Sequence, residues 1–270
     1  AAMKGETRMA MMDMDLTGKT ALITASVTGI GLATAQQLCS RGAKVWINGR
    51  KADRLAQAAD AVRARVPGAQ VMTVQADVAT VEGCQHVIDT VKDVDLLLNM
   101  AGGTDRIVPF DELTDKDWQY QWDFNVMSGV RLTRHFAPLI KAKAYGRIIF
   151  MTSEAGMVTP DMIVDYGVCK AAVIRLSRCV AEMFHRHPGV TVNCVSPGGT
   201  MSEWVYRDAK GRPVQEFEKQ HFEKNEATSL LGRFAEADEV ANMITYLCCP
   251  ASNATRGAVL RADGGPVRTV

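Results

Sequence analysis

Short apolar runs alternate with longer helical patterns from residue 16 onward. The apolar runs predict seven buried strands, at residues 20–24, 44–48, 71–76, 94–99, 147–152, 190–195 and 258–261. The segments between them predict helices at residues 30–41, 52–65, 81–91, 115–141 (one helix or two), 164–185 and 238–247. Strands that alternate with helices at this spacing are typical of βαβ units, whose right-handed crossovers build a doubly wound parallel sheet with helices on both faces.

Residues 16–270 are predicted to form one α/β domain, because no linker rich in Pro, Gly or Ser and no internal repeat interrupts the pattern. The methionine-rich residues 1–15 are predicted to be an N-terminal arm or an artificial extension outside this fold. A chain of 270 residues buries well over half of its surface, so we expect neither a structural metal nor a disulfide.

The composition argues against several classes of protein. Lys and Arg number 31 against 30 Asp and Glu, and aromatic residues make up 6%, so a nucleic-acid partner is not expected. The longest uncharged run, residues 20–40, contains too many Thr, Ser, Gln and Gly residues for a membrane span. The seven cysteines form no CxxC pair, which favours buried, reduced thiols in a cytoplasmic protein.

Ligands of such sheets bind at the carboxyl ends of the strands, where the first two strands carry suggestive residues. The turn TASVTGIG at residues 24–31 leads into a helix, so its backbone N–H groups can bind a phosphate; a plain tight turn is the alternative. After the second strand, Arg50 and Lys51 stand where an Asp or Glu usually reads a ribose 2′-OH. Two cations favour a 2′-phosphate, although they also suit a solvated helix start.

The next two strand ends are less specific. Asp77 follows the third strand, where it could bind the adenine amino group or cap a helix. The NMAG sequence at residues 99–102 offers small residues against which a cofactor can lie, or forms a simple turn.

Tyr166 and Lys170 give the strongest signal, because residues four apart share one helical face. An ammonium beside a phenol is expected to lower the phenol's pKa and suit it for proton transfer near neutral pH. Ser153, at an earlier strand end, offers a hydroxyl to the same substrate oxygen. Asn125 is a poor helix former inside a predicted helix, which indicates a task such as holding a water or a backbone carbonyl.

Over residues 16–265 the chain resembles the short-chain dehydrogenase/reductase family. The features that carry the resemblance arrive in the family's order: the Gly-rich turn, Asp77, NMAG, Asn125, Ser153, Tyr166 with Lys170, Pro197-Gly198 and Asp263-Gly264-Gly265. The resemblance implies a single-domain Rossmann fold and an oxidoreductase (EC 1.1.1.-) that transfers a hydride between NADP(H), or alternatively NAD(H), and a carbonyl or secondary alcohol. Reduction of a 3-oxoacyl thioester is the nearest named activity.

The resemblance also implies a catalytic tetrad. Tyr166 would be the acid/base, Ser153 would orient the carbonyl, Lys170 would bind the nicotinamide ribose and Asn125 would hold a water in a proton relay. The predicted cofactor-binding residues are Thr24, Ser26, Thr28, Gly29, Ile30, Gly31, Arg50, Lys51, Asp77, Val78, Asn99, Ala101, Gly102, Tyr166, Lys170, Pro197, Gly198 and Thr200.

Three positions depart from the family's pattern. Ala25 stands where the turn usually has its first Gly, and its methyl group could displace the adenosine ribose or be accommodated by a small shift. Thr28 replaces the basic residue of many NADP-preferring members, and Met100 replaces a polar residue. A cofactor-binding regulatory protein without turnover is the alternative that Ala25 favours.

Residues 199–233 resemble the family's variable substrate lid, although an ordinary amphipathic helix pair would look similar. Glu154, Met162 and Trp204 are the candidate substrate contacts, and Glu154 would favour a polar or amine-bearing substrate unless it faces solvent. The family also implies a homotetramer, or a homodimer, through residues 115–141, 164–185 and 258–261.

Overall fold

The carboxyl ends of parallel strands form the edge on which the functional residues lie. The structure, a computed structural model, describes residues 12–104, 106–158 and 161–268. Within them seven strands run parallel in the order β3-β2-β1-β4-β5-β6-β7. The strands are Thr20–Ile23 (β1), Lys44–Gly49 (β2), Val71–Gln75 (β3), Leu96–Asn99 (β4), Gly146–Met151 (β5), Val190–Pro197 (β6) and Val259–Ala262 (β7). The order reverses between β1 and β4, which opens a crevice at that point of the edge.

Helices cover both faces of the sheet. They are Gly29–Ser40 (α1), Ala52–Arg65 (α2), Val81–Thr90 (α3), Asp115–Trp122 (α4), Ser128–Lys141 (α5), Val164–Glu182 (α6), Glu203–Ala209 (α7), Val214–Lys224 (α8) and Ala237–Cys248 (α9). One apolar cluster packs α1, α2 and α9 against the sheet, and another packs α3, α5 and α6 against it. The predicted doubly wound single domain is therefore confirmed. Within the described ranges, no helix combines the length and apolar character needed to cross a membrane.

The predicted helix over 115–141 is two helices separated by a π-helical turn, Asp123–Met127. Such a turn inserts an extra residue into a helix and often marks a functional position. Asn125, the residue singled out as a poor helix former, lies in it and is buried.

The predicted N-terminal arm lies partly outside the described residues, which begin at Met12. Its last residues pack against the fold, contrary to the prediction: Ala251 donates a backbone hydrogen bond of 3.0 Å to Asp13, and Met14 contacts the core. Leu16 is fully buried beyond them. Apolar side chains at 14 and 16 therefore anchor the start of the domain.

The cysteines are all free, and six of the seven are buried as predicted. Cys179 on α6 is the exception and is exposed.

Ala25 adopts a backbone conformation that favours glycine. Its φ is +49°, in the left-handed region, where the Cβ of an L-residue crowds the following carbonyl. Gly31 lies against it, and a Cβ there would be 2.6 Å from the Ala25 carbonyl oxygen. The turn is therefore tight, and Ala25 has a strained backbone conformation within it.

We expect Ala25→Gly to raise the free energy of unfolding by about 1 kcal/mol, and Tm by about 2–4 °C, because it removes this steric strain. Urea denaturation checks this. Ala56→Gly is the control, since Ala56 is an exposed position inside α2 and glycine there costs about 1 kcal/mol. Equal losses in both variants would contradict the assignment of strain to Ala25.

Candidate active site

The Gly-rich turn is held together by buried side chains of its own. The Ser26 hydroxyl donates to the Ile23 carbonyl at 2.8 Å and accepts from the Asn48 backbone N–H at 3.0 Å. The Thr24 hydroxyl accepts from the backbone N–H groups of residues 100 and 101, both at 2.9 Å. Both hydroxyls therefore fix the turn between β1, β2 and β4 rather than facing the crevice. Thr28, Gly29 and Ile30 are half-buried at the start of α1, as a phosphate-binding turn requires.

Arg50 and Lys51 are both exposed at the carboxyl end of β2. The Arg50 carbonyl accepts a hydrogen bond of 3.1 Å from the Gln75 side chain, which fixes the backbone and leaves the guanidinium free to turn toward a ligand. Asp77, after β3, is half-buried, and its Oδ1 accepts from the Ala79 N–H at 3.0 Å. The cap of α3 is Thr80 instead, so the helix-cap alternative for Asp77 is wrong.

Asn99 and Gly102 line the crevice beyond β4. The Asn99 side chain donates to Thr133 at 2.9 Å, while its buried Oδ1 has no partner among the described residues. Gly102 has φ +156°, and a Cβ there would overlap the Lys170 ammonium and lie 2.7 Å from Asn125 Oδ1. Only glycine thus fits between these two side chains. Ala101 and Val78 are buried nearby.

Ser153, Tyr166 and Lys170 come together at the end of β5. Ser153 follows this strand, and its hydroxyl lies within hydrogen-bonding reach of Tyr166 on α6. Lys170, one helical turn further along, is 1% exposed and donates to the Met151 carbonyl at 3.0 Å. Its ammonium lies 5.5 Å from the centroid of the Tyr166 ring. The residue spacing thus produces the predicted constellation.

Burial dominates the protonation of this group. It raises the pKa of Tyr166 to about 12, against the smaller lowering effect of the hydrogen bond with Ser153. It lowers the pKa of Lys170 to about 8, because a buried ammonium loses hydration. The predicted lowering of the Tyr166 pKa by Lys170 is therefore not found in this state. The phenol is neutral here and suited to donate a proton.

Asn125 binds the backbone of the loop after β4. Its Nδ2 donates to the Gly103 carbonyl at 3.1 Å, and its Oδ1 accepts from the Gly103 N–H at 2.9 Å. Gln121, one turn earlier on α4, accepts a second bond at 2.6 Å. The prediction that Asn125 holds a backbone carbonyl is thus met, and Gln121 is a partner that sequence reasoning missed.

The residues after β6 pass beneath the lid. Pro197 ends the strand, and Thr200 is buried with its hydroxyl bonded to the Gly198 carbonyl at 3.0 Å. Residues 199–233, the predicted lid, contain the helices α7 and α8; their role as a substrate lid stays a prediction. Ser202 of this segment lies against the Gly-rich turn, 3.4 Å from a Cβ placed at Gly29.

Two of the predicted substrate residues have other contacts within the protein. Trp204 packs edge-on against Phe234, with 5.3 Å between ring centroids, and so stabilises the interior of the lid. Met162 is 44% exposed, and its carbonyl accepts from the Val108 N–H at 3.0 Å. Glu154, the third, is largely buried and lies near Tyr166.

Sequence reasoning also missed Arg54 and Glu226. Arg54 on α2 forms an ion pair with Glu203 of the lid, across the mouth of the crevice. Glu226, after α8, is largely buried and bonds His221 at 2.8 Å. The sequence around Arg54 and Glu226 does not mark either residue as functional, because both stand among other charged residues. Only their contacts with residues of other segments set them apart.

The crevice fits a nicotinamide dinucleotide. The buried, unpartnered Oδ1 of Asn99 and the space kept at Gly102 offer a polar contact and a flat approach to the backbone. The Gly-rich turn presents N–H groups at the α1 terminus, suited to the two phosphates. Among the described residues, no group of three or more His, Cys, Asp or Glu side chains could hold a metal ion.

The chain is similar to known proteins. Residues 24–266 match the family model described as enoyl-(acyl carrier protein) reductase. An uncharacterized oxidoreductase of Bacillus subtilis, YvaG, is 37% identical over 96% of this chain and all of its own. The 3-oxoacyl-[acyl-carrier-protein] reductase of Synechocystis is 33% identical over 93% of this chain and 98% of its own.

A solved structure extends the likeness to the fold. L-Sorbose reductase from Gluconobacter frateurii, complexed with NADPH and L-sorbose, superposes with a TM-score of 0.88 at 31% identity, covering 96% of this chain and all of that one. The sheet, the crevice and the family match agree, and the chain therefore belongs to the short-chain dehydrogenase/reductase family, as an NAD(P)-dependent oxidoreductase.

Proposed function

We propose that this chain reduces a small carbonyl compound, or oxidises the matching secondary alcohol, with NADP(H), using Tyr166 as acid/base. The observation that carries the proposal is the group at the end of β5, where Tyr166 lies within reach of Ser153 and above a buried Lys170. A regulatory protein without turnover would have no chemical reason to hold these three side chains together.

Each residue has a separate task in this proposal. The nicotinamide, when bound, supplies or accepts the hydride. Tyr166 donates its phenolic proton to the carbonyl oxygen during reduction, and Ser153 donates a hydrogen bond that orients the same oxygen. Lys170 offers its ammonium to the nicotinamide ribose. Asn125 positions the Gly103 backbone beside them, from which a water can pass protons outward.

NADP(H) rather than NAD(H) is proposed because Arg50 and Lys51 are exposed cations at the end of β2, where no carboxylate stands to read a ribose 2′-OH. The L-sorbose reductase structure with NADPH supports the same choice.

A 3-oxoacyl thioester is the alternative substrate, supported by the Synechocystis relative. It would need a basic surface for an acidic carrier, for which Arg131 and Arg134 on α5 are the candidates. Arg131 is largely buried in an ion pair with Asp123 and donates to the Ala79 carbonyl at 2.9 Å. Arg134 alone remains exposed, so the small carbonyl substrate is preferred.

A cytoplasmic homotetramer, or a homodimer, is proposed as the assembly. Val168 on α6 is 47% exposed, Met183 directly after that helix is 52% exposed, and Leu139 on α5 is also exposed. Association would cover these apolar side chains. Free cysteines suit a reducing compartment.

The double variant Arg50→Gln/Lys51→Gln should weaken NADPH binding about 10- to 100-fold, because two charge-assisted contacts to the 2′-phosphate are lost. NADH binding should be unchanged. Titration of both cofactors by nicotinamide fluorescence measures this, with Lys44→Gln, an exposed lysine at the other end of β2, as control. Equal weakening of both cofactors would contradict the 2′-phosphate assignment.

Tyr166→Phe should lower kcat for carbonyl reduction about 10²- to 10⁴-fold, the usual contribution of general acid catalysis, with NADPH binding retained. The comparison variant is Tyr206→Phe, which removes the hydroxyl of an exposed tyrosine on α7. Turnover by the Tyr166 variant at the wild-type rate would remove the proposed acid from the mechanism.

A further inference from the structure

Two carboxyl groups meet beside the catalytic tyrosine, one from the core of the domain and one from the lid. Glu154 follows Ser153, and its Oε2 lies 2.7 Å from a Cβ placed at Gly198. Glu226, after α8, lies with its Oε1 3.1 Å from a Cβ placed at Gly199. The two carboxyls are within hydrogen-bonding reach of each other. They therefore flank the chain segment that leaves β6 at the floor of the crevice.

The carboxyl groups of Glu154 and Glu226 are stable side by side only if they share a proton. Oε2 of Glu154 and Oε2 of Glu226 are both buried and have no donor among the described residues. Two carboxylates in contact repel each other, whereas a carboxylic acid can donate to a carboxylate. His221 already occupies Oε1 of Glu226, at 2.8 Å, and we therefore place the shared proton on Glu154.

Within the described part of the chain, the charged groups that act on Glu154 are acidic. Glu226 acts on it from the lid and Asp263 acts from the residues after β7, while the Tyr166 hydroxyl of α6 lies on the catalytic side. Asp263 is itself paired with Arg261 at 2.9 Å. Burial and these two carboxylates raise the pKa of Glu154 to about 9.

We propose that Glu154 is a neutral carboxylic acid held by Glu226 of the lid, and that it determines substrate specificity by bonding a hydroxyl group next to the reacting carbonyl. This inference rests on the proposed function, since Glu154 acts there on the substrate that Ser153 and Tyr166 bind. A neutral acid both donates to and accepts from a hydroxyl group. The preferred substrates are thus uncharged α-hydroxy carbonyl compounds.

A substrate with a charged group next to its carbonyl would bind poorly beside Glu154 and Glu226. A carboxylate next to the carbonyl would face Glu226 and Asp263 and be repelled. An ammonium group would favour two ionised carboxylates, so its binding requires release of the shared proton to solvent, which costs free energy at neutral pH because the pKa of Glu154 is raised to about 9. An unsubstituted ketone would bind, but it would leave Glu154 with no substrate partner.

The test compares acetone, hydroxyacetone, aminoacetone and pyruvate, which differ only in the group beside the ketone. With NADPH and the wild-type protein we expect kcat/KM for hydroxyacetone to exceed that for acetone about 10-fold or more, and to exceed those for the two charged compounds. Glu154→Leu should reduce the hydroxyacetone-to-acetone ratio to about one, and Glu154→Gln should keep most of it. Glu223→Leu, at an exposed carboxylate of α8, is the matched control.

A readout independent of turnover tests the protonation. Native protein with a neutral Glu154 binds more protons than the unfolded chain between the ordinary pKa of 4.5 and about 9. The free energy of unfolding of the wild type should therefore fall as pH rises through this window, and that of Glu154→Gln should fall less. Parallel pH profiles for the two proteins would overturn the neutral carboxyl group.

The outcomes separate the two proposals. Reduction of acetone and hydroxyacetone at equal efficiency, or a preference for aminoacetone or pyruvate, overturns the specificity inference and leaves the proposed function standing. No turnover of any of the four ketones, with NADPH bound normally, overturns the proposed function and the specificity together. A hydroxyacetone preference that Glu154→Leu abolishes and Glu223→Leu preserves supports both.

Discussion

Lys170 carries a cationic group into a position that water barely reaches, and the surrounding structure is arranged to make that tolerable. A buried ammonium is costly unless fixed groups replace its hydration. The Met151 carbonyl accepts one hydrogen bond, and the Tyr166 ring covers one side. Gly102 has no side chain at the place where one would collide with the ammonium. The ammonium nitrogen of Lys170 thereby contacts three parts of the fold: the end of β5, the loop after β4 and the face of α6.

The sheet could be predicted because the strands are mostly short apolar runs, too short for helices, that alternate with longer helical patterns. The catalytic group could be predicted because Tyr166 and Lys170 lie one helical turn apart, so their proximity follows from local geometry. Glu226 could not. Its contact with Glu154 joins segments far apart in sequence, and nothing in the chain distinguishes Glu226 from exposed carboxylates such as Glu223.

Ser26 and Thr24 were predicted to contact the cofactor, and this stays a prediction. In the fold both hydroxyls bond within the turn, to β2 and to the residues after β4. A small polar residue near a phosphate-binding turn has two possible tasks, and only the fold decides between them. The expected effect of Lys170 on Tyr166 failed for a related reason: the pattern shows that the two are neighbours but not how deeply both are buried.

The π-helical turn at Asp123–Met127 has a geometric consequence for the residues on either side. One inserted residue rotates everything after it by about 100° around the helix axis relative to an uninterrupted helix. Leu132 and Phe136 of α5 reach the core from that rotated setting, while Asn125 binds the loop at the crevice. In a continuous helix, the angle around the axis between Asn125 and the pair Leu132 and Phe136 would be fixed by the helical repeat. The π-helical turn changes that angle, so Asn125 can point toward the crevice while Leu132 and Phe136 point toward the core.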